Sequence, residues 1–152
     1  MKIKYLIIAA LFFLQNCGYT PIHNNLENTQ YKINLIEIKA DDPLIENFIA
    51  SKINNISKKD SKNIINLKIS NNVKREILLK NKKNEITDYL IKLEIKFEIK
   101  NDKNLNKLFE FNDKIKIENI SDQFELEKYQ GEIVKNFIDL KINEFILKIS
   151  TL

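Results

Sequence analysis

Apolar residues recur at two spacings along this chain, and the change from one to the other marks out its elements. From Tyr31 the spacing is two: Tyr31, Ile33 and Leu35 alternate with polar neighbours, and the phase then moves to Ile36 and Ile38 before Lys39. Alternation of this kind predicts a strand, and a phase change within it means either a bulge or a strand partly covered on both faces. Ala40-Asp41-Asp42-Pro43 comes next. An aspartate there can accept from the first free N–H groups of a helix, and proline's fixed φ suits the first helical position. From Leu44 to about Ser57 the spacing is helical, with Ile45, Ile49, Ile53 and Ile56 on one side and Asn47, Ser51 and Asn54 opposite.

Period two returns at Ile65, Leu67 and Ile69, and after an asparagine interruption it continues in phase at Val73, Ile77 and Leu79. Lys80–Glu85 reads as a turn. Tyr89, Ile91, Leu93, Ile95, Phe97 and Ile99 then alternate with Leu90, Lys92, Glu94, Lys96, Glu98 and Lys100, the cleanest strand in the chain. A second polar turn, Asn101–Lys107, precedes Phe109, Phe111, Ile115 and Ile117, an apolar face broken only by Asp113. Three such strands with short polar connections predict an antiparallel meander, one face on a core and the other in a polar environment.

Ser121-Asp122 begins a long helix that runs to about Ser150 and carries two apolar stripes. Phe124, Val134, Ile138, Ile142, Phe145 and Ile149 form one. Leu126, Tyr129, Ile133, Phe137 and Leu140 form the other, close to opposite. One stripe can pack on the sheet. The second needs either the first helix or a partner, which makes its five residues candidates for a partner interface. The order strand, helix, three strands, helix predicts an α+β two-layer sandwich: a four-stranded, mostly antiparallel sheet with two helices on one face.

The N-terminal stretch follows a different grammar. Lys2 and Lys4 precede the unbroken apolar run Tyr5–Leu14, and Gln15-Asn16 leads to Cys17. The run spans roughly 15 Å as a helix, half of a ~30 Å hydrocarbon core, so it suits a cleaved secretory signal rather than a membrane span. Leu14-Gln15-Asn16-Cys17 resembles a bacterial lipobox, although Asn16 stands where a small residue is usual. Cys17 is the single cysteine, so in an oxidising compartment it has no disulfide partner, and lipidation is its expected fate. Two or more acyl chains would anchor it firmly. Gly18 after the cysteine resembles the pattern of lipoproteins sent to the outer membrane. The expected division is a signal peptide over 1–16, a lipidated tether over 17–30 and one domain over 31–152.

Composition then removes whole classes of function. The net charge is +4 for the full chain. Loss of Lys2 and Lys4 with the signal leaves a smaller surplus, interspersed with acids along the strands, and no nucleic acid is expected. With two glycines, a glycine-rich phosphate loop is excluded. One histidine, His23 in the tether, and one cysteine leave the domain no nucleophile–base pair and no metal cluster built on those residues. We expect no enzyme, no cofactor and no bound metal.

Cys17-Gly18-Tyr19-Thr20-Pro21 followed by this element order resembles the LPS-assembly lipoprotein LptE family over essentially the whole mature chain. Here Ile22-His23 replaces the Leu-Tyr common among relatives. The resemblance implies an outer-membrane lipoprotein, anchored on the periplasmic side, that plugs the barrel protein LptD, helps assemble it and takes part in delivering lipopolysaccharide to the cell surface. An auxiliary, periplasm-facing lipoprotein of a phospholipid-transport system is the alternative. A peptidoglycan-binding role has no glycan-binding signature to support it. If lipid A is handled, its phosphates call for basic donors. Arg75 is the single arginine among 25 basic residues, and it leads toward Lys80, Lys82 and Lys83. These four are the candidate lipopolysaccharide contacts.

Overall fold

The computed structural model describes residues 30–100 and 106–151. Six elements follow one another: β1 (Tyr31–Lys39), α1 (Pro43–Ile56), β2 (Asn63–Lys80), β3 (Ile86–Lys100), β4 (Asn106–Glu118) and α2 (Gln123–Ser150). The four strands form one sheet in the order β1-β2-β3-β4. β1 is parallel to β2, which requires a crossover, and α1 supplies it. The other two pairs are antiparallel. The sheet is thus mixed, with both helices on one face and the α+β order expected from periodicity.

Local chemistry accounts for the element ends. Asp42 caps α1, its carboxylate accepting from Leu44 N at 2.8 Å, and Pro43 opens the helix. Asp122 does the same for α2, accepting from Phe124 N at 2.8 Å and Glu125 N at 3.1 Å. The phase change in β1 is a bulge: the register with β2 shifts between Leu35 and Glu37, leaving Ile36 half exposed. Asn71-Asn72, expected as an interruption, instead lies inside a single 18-residue strand. Asn71 is buried on the apolar side, where its side-chain amide donates to Glu94 O at 3.0 Å. One satisfied donor is enough to let a polar residue stay in the ladder.

The core lies between the sheet and the helices. Ile45, Ile49 and Ile53 of α1 meet Ile33, Ile65, Leu67 and Ile69, while the face of α2 through Val134, Ile138, Ile142, Phe145 and Ile149 covers β3 and β4. At its centre Phe97 stacks on Phe145 with ring centroids 4.4 Å apart and planes 8° from parallel. Phe111 and Phe109 meet this pair edge-on at 5.8 and 5.4 Å, the offset arrangement that aromatic quadrupoles favour. Ser57, just past α1, ties the crossover back to β1 by accepting from Ile33 N at 2.8 Å.

Phe124 departs from the expected packing stripe. It is 72 % exposed although Leu126 in the same turn is buried, so the covered side of that turn is the one Leu126 faces. Ile146, outside both expected stripes, is buried instead.

Candidate interaction surfaces

The face of the sheet away from the helices is a lattice of paired charges. Lys68 lies 2.9 Å from Glu37, Lys96 lies 3.1 Å from Glu94 and 3.7 Å from Glu110, and Lys100 lies 3.4 Å from Glu98. Toward the β2–β3 turn, Lys92 pairs with Glu76 at 2.6 Å and Lys116 with Asp88 at 2.8 Å. The alternation that puts apolar side chains into the core puts these on one plane. Register sets Lys68 opposite Glu98 and Lys96 opposite Glu110, but it also aligns Lys74, Lys92 and Lys114 in one row. Apart from that row the face largely pairs its own charges, and it is suited to a polar, water-filled surrounding.

Glu37 is the most perturbed acid on this face. Hydrogen bonds from Lys68 and then Lys39 pull its carboxyl from the ordinary 4.5 down to about 2. A depressed folded-state value stabilises the fold above pH 4.5, and that contribution is lost as the pH falls toward about 2. Glu37→Gln should therefore flatten this part of the acid limb of the melting temperature measured against pH. The difference should shrink in 1 M salt, as it must for exposed charges. A variant with an unchanged acid limb would show that the pair contributes nothing. Asp88 is lowered in the same sense, by Lys116 first and Thr87 second.

The β2–β3 turn is built by Asn81. Its side-chain oxygen accepts from Lys83 N at 2.9 Å and Glu85 N at 3.0 Å, and its amide donates to Glu85 at 2.7 Å. Asn84 closes the turn at φ 64°, a left-handed conformation that asparagine tolerates better than most residues. Lys80, Lys82 and Lys83 all project into solvent here, and among the described residues no carboxylate lies within ion-pair distance of them. Arg75 is elsewhere. It precedes Lys80 by five residues, about 16 Å of chain. Its guanidinium sits 5.0 Å from the Tyr89 ring and donates to Gln130 of α2 at 3.3 Å. The structure brings the three lysines together at the tip and holds Arg75 against the helix layer.

The expected second stripe of α2 divides. Leu126 and Phe137 are buried, Ile133 is half-buried, and Tyr129 and Leu140 are exposed. Leu147, which sequence reading passed over, extends the exposed line one heptad beyond Leu140 at 59 % exposure. Ile77 and Leu79, expected to continue the apolar face of β2, are instead about half exposed, as is Leu78 between them, which sequence reading passed over. A signal was present: three consecutive apolar residues break period two, so one of them must leave the core face.

Cys17 and the tether as far as residue 29 lie outside the described residues, as do the signal stretch 1–16 and positions 101–105 of the second turn. No helix among the described residues is long and apolar enough to cross a membrane, and none of their His, Cys, Asp and Glu residues form a group able to hold a metal.

The fold is that of a group of small bacterial lipoproteins. Rare lipoprotein B from Shewanella oneidensis matches 78 % of this chain and 94 % of its own, at TM-score 0.53 and 13 % identity. Lipoprotein B from Nitrosomonas europaea matches 81 % and 86 % at TM-score 0.54 and 13 % identity, and a putative lipoprotein from Caulobacter crescentus 83 % and 93 % at 0.52 and 10 %. No protein-family model and no curated protein sequence matches the chain.

Proposed function

We propose that this chain is a lipid-anchored outer-membrane lipoprotein of the LPS-assembly kind. It fills and helps assemble an LptD-type barrel and takes part in passing lipopolysaccharide to the cell surface. The observation that carries the reading is a fold shared along nearly their whole length with solved bacterial lipoproteins, joined to a lipobox-like Leu14–Cys17. The self-paired sheet face supports it, since the lumen of a large outer-membrane barrel is polar. Lys80, Lys82 and Lys83, without ion-pair partners among the described residues, are basic groups suited to lipid A phosphates, with Arg75 set back along β2. The anchor is Cys17.

The test is purification of the tagged full chain from membranes in gentle detergent. A large barrel protein should accompany it, and intact mass should show loss of residues 1–16 with added diacylglyceryl and acyl groups. A chain that keeps its first 16 residues or a free thiol would refute the anchor. A lipidated chain free of any barrel would be the auxiliary lipoprotein of another transport system.

A further inference from the structure

β2 is much longer than the strand beside it. Pairing with β1 ends at Lys39 opposite Ser70, whereas pairing with β3 continues to Lys80. Among the described residues, β2 from Asn72 onward therefore has a hydrogen-bonded neighbour on one side only. The first outward N–H of this overhang is already taken, because Val73 N donates to Asp41 Oδ2 at 3.1 Å. That contact also gives the direction of the rest. Main-chain groups alternate sides along a strand, so Arg75 and Ile77 also turn their N–H and C=O groups to the open side. The ladder is regular as far as Ile77, and the bulges begin only beyond it.

The other free edges are treated differently. β1 is closed near its start, where Ser57 Oγ accepts from Ile33 N and Lys58 N donates to Tyr31 O. β4 carries Asp113 in its apolar phase, an inward charge of the kind that blunts an edge. On the overhang of β2 Arg75 lies in the apolar phase, as Asp113 does on β4, and Asp41 caps Val73. Among the described residues, however, nothing pairs with the N–H groups of Arg75 and Ile77, and the charged side chains beyond Val73 are mostly basic. Lys74 and Arg75 sit on the open stretch, Glu76 is occupied by Lys92, and Lys80, Lys82 and Lys83 follow at the tip. A second copy of this strand would bring basic groups against basic groups. An acidic strand would not.

We propose that the open edge of β2 over Asn72–Ile77 accepts an extended, acidic segment of a partner protein as an added strand. Main-chain pairing at Arg75 and Ile77 supplies the docking, and Lys74 and Arg75 on opposite faces select acidic side chains. The half-exposed Ile77 and Leu79 offer apolar contact to alternate residues of the incoming strand. Main-chain pairing at this edge does not depend on a barrel, so its test is separate from the test above.

The probe is a ten-residue peptide of alternating glutamate and valine, with a lysine-for-glutamate counterpart, added to the full chain in detergent micelles. The readout is amide hydrogen exchange. The glutamate peptide should slow exchange at Arg75 and Ile77 by about tenfold or more, and the lysine peptide should leave it unchanged. Arg75→Pro removes an outward N–H without touching the β3 ladder and should abolish the response. Arg75→Ala keeps that N–H and should retain protection at weaker affinity. If Arg75→Pro does not fold, exchange in the unmodified chain decides alone. Glutamate-peptide binding that leaves both amides unprotected would overturn the proposal. So would equal protection by both peptides, no binding at all, or protection that rises with protein concentration in the absence of peptide.

Discussion

Phe145→Ala is expected to cost about 3–5 kcal/mol, the range for truncating a fully buried phenylalanine whose site cannot collapse. Phe145 has no exposed surface, stacks on Phe97 and takes the Phe109 edge, so removing it leaves both rings facing a void at the junction of sheet and helix. With a urea dependence of about 1–3 kcal/mol per molar, the unfolding midpoint should fall by roughly 1 M or more. Phe124→Ala is the matched comparison, the same chemical change at a ring that is 72 % exposed, and it should stay within about 0.5 kcal/mol of the parent. Equal loss in the two variants would mean that the Phe124 ring is packed rather than exposed.

Phe137→Asp and Leu140→Asp make the second pair. Phe137 is 5 % exposed and belongs to the core, so an aspartate there leaves a carboxylate without a partner in an apolar setting. Such a charge typically costs several kcal/mol or forces the group to take up a proton. Circular dichroism of the variant, with no partner present, should show partial or complete unfolding. Leu140 is 60 % exposed, and Leu140→Asp should melt with the parent. Any loss of a binding partner by Leu140→Asp would then report an interface rather than a folding defect. A Phe137→Asp domain as stable as the parent would contradict the packing of α2.

These pairs mark how far local pattern reaches. On a helix turning about 100° per residue, Leu126, Tyr129, Ile133, Phe137 and Leu140 fall within an arc of about 80°. Periodicity places them together but does not say where the covered arc ends. In the fold its border runs through the stripe, leaving Leu126 and Phe137 inside and Tyr129 and Leu140 outside. Phe124 shows the same limit: its angle matches that of Ile142 and Ile149, but in the first turn the covered side is that of Leu126, about 160° away.

What the sequence determined by itself is the set of features governed by neighbours a few residues apart. Asp42-Pro43 and Asp122 place the starts of both helices, because capping involves only the next two or three N–H groups. Alternation in β3 and β4 assigns the apolar face, since side-chain direction follows the pleat, and it left only a bulge or a double-covered strand for β1. Tertiary structure alone decided what depends on the lengths and positions of distant elements. Arg75 meets Tyr89 and Gln130 instead of the tip lysines because antiparallel pairing with β3 and the course of α2 bring those groups to it. The open edge of β2 arises because β1 ends opposite Ser70 while β3 runs on to the turn. No local pattern contains that difference, because it is a relation between strands joined through α1 and the hairpin, and only pairing makes it visible.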